Sequence, residues 1–103
     1  MFWNKKTDIN LKWGWTNETT EDYSLVIELY SVKKEKSGNL YKPKVGDVPF
    51  GLTCLGTIVG HENLNGKKVK ITIPDDEIDD LEIGNMIKLG VINDDTCISV
   101  VRV

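Results

Sequence analysis

The sequence predicts an all-β fold, and three observations carry that prediction. Valine, isoleucine and threonine supply 28 of 103 residues, while alanine and glutamine are absent. Branching at Cβ stiffens χ1 and suits the pleated strand better than the helix. Apolar and polar residues alternate with period two in several separate runs, the spacing of a strand with one buried face. Nine glycines, several beside Asn or Asp, punctuate those runs as turns do.

Each element has its own justification. Ile9, Leu11, Trp13 and Trp15 alternate with Asn10, Lys12, Gly14 and Thr16, which predicts a first strand. Polar residues 16–22 connect it to a second, where Tyr23, Leu25, Ile27 and Leu29 alternate with Ser24, Val26, Glu28 and Tyr30 and the strand extends to Val32. Residues 33–39 read as a charged hairpin tip turning at Gly38-Asn39, and 45–51 are rich in turn residues. Residues 52–59 form a third strand, apolar on both faces apart from Thr53 and Thr57. A loop ending in Asn65-Gly66 leads into 67–73. There Val69, Ile71 and Ile73 point inward, and Lys68, Lys70 and Thr72 point outward.

One short helix is expected near residues 75–82. Pro74 suits a first helical turn, acids suit the positive end of the dipole, and Ile78 and Leu81 share a core-facing side. Residues 86–92 and 97–103 make a last hairpin across 93–96. From Tyr23 onward the order is strand, strand, strand, short helix, strand, strand. That is the order of an oligonucleotide/oligosaccharide-binding (OB) barrel, preceded by one extra strand. The expected architecture is a single domain over 1–103, an all-β, five- to six-stranded OB-like barrel. Another small β-barrel or a two-sheet sandwich is the alternative.

Composition narrows the function classes. The one histidine, His61, sits in a loop beside a glycine, and no Ser/His/Asp or Cys/His set can be assembled around it. Phosphate-loop, CxxC and HExxH motifs are absent. The expectation is a binding module without enzymatic activity, metal or cofactor. No run reaches the 18 apolar residues of a membrane span, and the start has no apolar signal region, so a cytoplasmic protein is expected. Cys54 and Cys97 fall within strand-like runs, as buried free thiols do; a disulfide is the alternative.

Charge is divided unevenly along the chain. Residues 1–74 carry eleven lysines against eight acids, a net of +3, and residues 75–103 carry Lys88 and Arg102 against eight acids, a net of −6. The acids Asp75, Asp76, Glu77, Asp79, Asp80 and Glu82 are concentrated in eight residues. A calcium loop would want glycine where Asp80 stands, so the run reads as a solvated face or as a surface for a basic partner. Lys33, Lys34, Lys36, Lys42 and Lys44 surround a segment that carries Tyr41. Lys68 and Lys70 share an outward face, and Tyr30 is a further free aromatic. Lysines that track phosphates, interleaved with aromatics that stack bases, are the ingredients of single-stranded nucleic-acid binding.

The stretch Gly66-Lys67-Lys68-Val69-Lys70-Ile71-Thr72-Ile73-Pro74, then an acidic connection and a strand near Met86-Ile87-Lys88-Leu89, resembles the small β proteins carried by Gram-positive integrative conjugative elements (YdcP-like). The resemblance covers about a quarter of the chain. It implies a mobile-element accessory protein and assigns no functional residue.

Two functions are therefore expected in competition. In the first, Lys33, Lys34, Lys36, Lys42, Lys44, Lys68 and Lys70 hold the backbone of a single-stranded nucleic acid while Tyr30 and Tyr41 stack its bases. In the second, a phage or mobile-element accessory binds a host protein, as an inhibitor or assembly subunit, through the acidic 75–82 segment.

Overall fold

Alternation turns one face of each strand into a shared interior. The computed structural model describes residues 7–14, 20–36 and 50–103, with Lys36 and Phe50 described by backbone alone. Among the described residues are six strands: β1 (Ile9–Trp13), β2 (Tyr23–Lys36), β3 (Phe50–Val59), β4 (Lys68–Pro74), β5 (Met86–Ile92) and β6 (Thr96–Arg102). They close into a mixed barrel in the order β1-β4-β3-β2-β5-β6. Among the described residues no helix is long and apolar enough to cross a membrane.

Strand β4 shows the rule most plainly. Val69, Ile71 and Ile73 are wholly buried, and Lys68 and Lys70 between them are exposed. Leu25, Ile27 and Leu29 of β2, Cys54 and Ile58 of β3, Ile87, Leu89 and Val91 of β5, and Cys97 and Val100 of β6 complete the interior. Leu11 and Trp13 bring β1 into the same core. Both cysteines are free and buried.

The β2–β3, β3–β4, β2–β5 and β5–β6 pairs are antiparallel. Strand β1 pairs with no sequence neighbour. It inserts between β4 and β6, parallel to both, with Ile9 opposite Val69 and Trp13 opposite Cys97. Asp8 fastens this insertion at both levels: its N–H donates to the Lys68 carbonyl and its Oδ2 accepts from the Lys68 N–H, each at 2.9 Å. Trp15, read as the end of this strand, lies outside the described residues.

Two expectations need correction. Residues 33–36 are not a hairpin tip. Strand β2 continues through Lys36, paired with β3 from Lys36–Phe50 inward. A β-bulge makes this possible. Leu29 opposes Gly56 and Ser31 opposes Leu55, leaving Tyr30 as the extra residue. The bulge shifts the phase of the strand by one, so Val32 turns toward the core and Ser31, Lys33 and Glu35 turn out. Gly56, opposite Leu29 beside the bulge, is closely approached by β2: a Cβ there would meet the Glu28 carbonyl oxygen at 3.0 Å and the Ile27 Cβ at 3.1 Å.

The second correction concerns residues 75–82, which form no helix. They make a turn in which the Glu77 N–H donates to the Pro74 carbonyl at 3.1 Å, then run irregularly to Asp80, whose φ is +55°. Pro74 ends β4 rather than starting a helix. Six carboxylates in eight residues repel one another, and so short a helix offers too few hydrogen bonds to offset its nucleation. The two apolar residues nevertheless do what the expected helix was to do. Leu81 is buried in the core and Ile78 packs against it, so the segment closes one end of the barrel.

Candidate nucleic-acid interface

The outward residues of β1, β4, β3 and β2 meet in rows fixed by the register. Asn10 lies beside Lys70, Lys70 beside Leu55, and Leu55 beside Ser31. In the next row Thr72 lies beside Thr53 and Thr53 beside Lys33. Between these rows is an open concavity of about 640 Å³ lined by Thr7, Asn10, Ser31, Lys33, Thr53, Leu55 and Lys70. Two ammonium groups thus flank a floor of hydroxyls, one amide and one leucine, and no carboxylate is among these lining side chains.

The local electrostatics are mild. The Lys33 Nζ lies 3.6 Å from the Glu35 Oε1, both side chains substantially exposed. The Thr53 hydroxyl donates to Glu35 at 3.3 Å, and its oxygen lies 3.5 Å from that of Thr72. At the far edge the Thr7 hydroxyl donates to the Asn10 Oδ1 at 2.6 Å. Lys68 stands two residues from Lys70 on the same face, in a row with Thr57 and Glu28. A pair as exposed as Lys33–Glu35 contributes little, so an incoming phosphate has little to displace.

The lysines read together from sequence are separated by the fold. Lys33 faces the concavity. Lys34, with the opposite strand phase, reaches the barrel end, where its Nζ lies 3.3 Å from the Asp75 Oδ2. Lys36 is the last residue of β2, and its side chain is not described. Tyr41, Lys42 and Lys44 lie outside the described residues. Tyr30 is exposed, but it stands on the bulge and does not line the concavity.

The acidic residues take two roles. Asp75 pairs with Lys34 and is half-buried, while Asp76, Glu77, Asp79, Asp80 and Glu82 are exposed. Together with Lys34, Leu52, Ile78 and Leu81, residues 75, 79 and 80 line a smaller concavity of about 290 Å³ at the barrel end. The Arg102 guanidinium donates to the Asp79 carbonyl, fastening the segment to the end of β6. Although Glu77 is exposed, partial desolvation of its carboxyl, then the neighbouring Asp76 charge, raises it above its ordinary range.

Other chemistry-bearing groups are occupied or insulated. His61 Nδ1 accepts the N–H groups of Asn63 and Leu64, each at 3.1 Å, and so shapes its own turn. Burial pushes the Cys54 thiol up to about 11. Burial likewise dominates at Cys97, pushed up to about 12, so both stay protonated at neutral pH. Among the described residues no three His, Cys, Asp or Glu side chains converge as metal ligands do.

Sequence reasoning missed Thr7, Asn10, Ser31, Thr53 and Leu55. Asn10 and Thr53 carried a usable signal, the outward phase of their strands. Ser31 did not, because the bulge reverses its phase. The chain matches no protein-family model, no curated protein and no solved structure, so the site itself is what speaks to function.

Proposed function

We propose that this barrel is a binding module that takes a single-stranded nucleic acid on the outward face of β1, β4, β3 and β2. One observation carries the reading. Lys33 and Lys70, from strands remote in sequence, flank one open concavity whose other lining groups are hydroxyls, an amide and a leucine. The ammonium groups suit phosphates, and the hydroxyls and amide suit sugar and base edges.

The strand order supports it. Without β1, the order is β4-β3-β2-β5-β6. This is the order of an OB barrel, and β1 enters where that barrel would close its third strand against its fifth. OB barrels bind oligonucleotides on the face of their second and third strands. Those strands correspond to β3 and β4, which contribute Thr53, Leu55 and Lys70 to the concavity.

Fluorescence anisotropy with a labelled single-stranded oligonucleotide tests the proposal. Binding is expected in roughly 50 mM salt and should weaken steeply as salt rises, because counterion release drives it. Absence of binding at roughly tens of micromolar protein in that low salt, where phosphate contacts are strongest, rules it out.

A further inference from the structure

Five large hydrophobic side chains are exposed among the described residues: Tyr30, Ile83, Met86, Val101 and Val103. They are scattered in sequence and gathered by the barrel. The Val103 N–H donates to the Met86 carbonyl at 3.0 Å, so these two stand opposite each other at the end of the β5–β6 ladder. Val101 faces the same way one alternation earlier, opposite Lys88. Ile83 precedes Gly84, whose N–H donates to the Leu29 carbonyl, and the Leu29 N–H donates to the Asn85 carbonyl. Tyr30 follows Leu29 directly. The five therefore form one flank, from the β2 bulge across the 83–86 turn to the end of β6.

A flank of this kind on an outward sheet face marks an interaction surface. Its occupant is constrained by hydrogen bonding and by charge. Strand β5, at the centre of the flank, is hydrogen-bonded to β2 on one side and to β6 on the other along its length, so the face over Met86 and Lys88 offers no edge to an added strand. The occupant must lie across side chains and satisfy its own backbone, as a helix does. Around the apolar residues stand Glu28, opposite Met86, and the exposed Asp79, Asp80 and Glu82, against Lys88 and Arg102. This net negative rim repels a second copy brought up across a two-fold axis and attracts a cationic surface. We propose that the flank docks a basic amphipathic helix of a protein partner, its apolar stripe on Ile83, Met86 and Val101 and its Lys/Arg edges on the acidic rim. This is independent of the nucleic-acid reading, which concerns a different face.

The probe is a synthetic 18-residue helical peptide with a leucine stripe flanked by lysines, beside its isomer with glutamate at every lysine position. Titration calorimetry on the whole chain should show roughly micromolar to tens-of-micromolar binding of the lysine peptide and none of the glutamate peptide, the range expected of a small transient interface. The exposed-site double variant Ile83→Lys, Val101→Lys, checked by an unchanged thermal melt, should weaken binding at least about tenfold, since central apolar anchors dominate such interfaces. Lys70→Glu should leave it unchanged. The proposal is overturned if the lysine peptide does not bind, if both peptides bind equally, or if the double variant binds as the parent does. Self-association of the parent chain that the double variant abolishes overturns it as well, because a second copy then covers the flank.

Discussion

The outward face of β1, β4, β3 and β2 and the outward flank of β5 and β6 arise from the same alternation, yet they carry opposite chemistry. The first presents Lys33 and Lys70 among threonine, serine and asparagine around a concavity, with Lys68 in the row beyond. The second presents Met86, Val101 and Val103 under an acidic rim. The buried core beneath them is of one character, its side chains Leu, Ile, Val or Cys apart from Trp13, with Tyr23 packed against it. The barrel thus uses one interior to display two unlike surfaces. The acidic 75–85 connection sits between them, paired through Lys34 on one side and Arg102 on the other. Charge asymmetry along the chain is partly consumed within the fold and only partly offered outward.

The strongest way to break this comparison is to test the strand phase on which both faces depend. Ile71→Ala should cost about 2–5 kcal/mol, the usual range for truncating a buried isoleucine, while Lys70→Ala should stay within about 0.5 kcal/mol. Urea melts of both decide it. A more damaging Lys70→Ala would mean that β4 is turned over and that the basic face does not exist. Gly56→Ala tests the close approach of β2 and β3 beside the bulge. Its new methyl meets backbone as well as side chain, so a loss of about 1–3 kcal/mol is expected in the same assay. A neutral outcome would show that the β2–β3 register relaxes freely.

The double variant Lys33→Glu, Lys70→Glu sharpens the comparison without touching the core. Oligonucleotide affinity should fall at least about tenfold, and the salt slope should shrink by roughly 0.7 for each phosphate that is no longer neutralised. An unchanged affinity would move the nucleic-acid site off this face. Asp75→Asn separates the internal from the outward role of the acids. Its pair with Lys34 is largely exposed on the lysine side, so the loss should not exceed about 1 kcal/mol. A larger loss by chemical denaturation would make the pair a principal fastening of the barrel end.

The smallest effect is a pH dependence at Glu77. Partial desolvation, then Asp76, raises its carboxyl, so the folded state holds that proton more tightly than the unfolded chain. Ionising it therefore costs stability as pH rises through the folded value, and below the ordinary Glu range near about 4.3 the cost is absent. Glu77→Gln should be slightly more stable than the parent at pH 7, with the two converging toward about pH 4. Paired melts across that interval read the difference, and a variant less stable at pH 7 reverses the sign.

Much of this was legible in the chain. The interior of β4, the inward Leu25, Ile27 and Leu29, the free buried cysteines and the core-facing Ile78 and Leu81 all follow from period two and apolar spacing. Burial is the dominant favourable term and acts on each residue through its own local phase, so the all-β character and the core side chains of the regular strand runs follow from the sequence alone. Other features depended on partners remote in sequence. The bulge at Tyr30 resets the phase of β2 against β3, so that Lys33 and not Lys34, which sequence had grouped with it, faces the concavity. The 75–82 segment is held as an irregular cap by Lys34, Arg102 and the core around Leu81, where local signals favoured a helix. The insertion of β1 between β4 and β6 brings Asn10 to Lys70. These were decided only by the tertiary structure, because closing a barrel fixes which strands become neighbours, and no residue's local preference encodes its neighbour across the sheet.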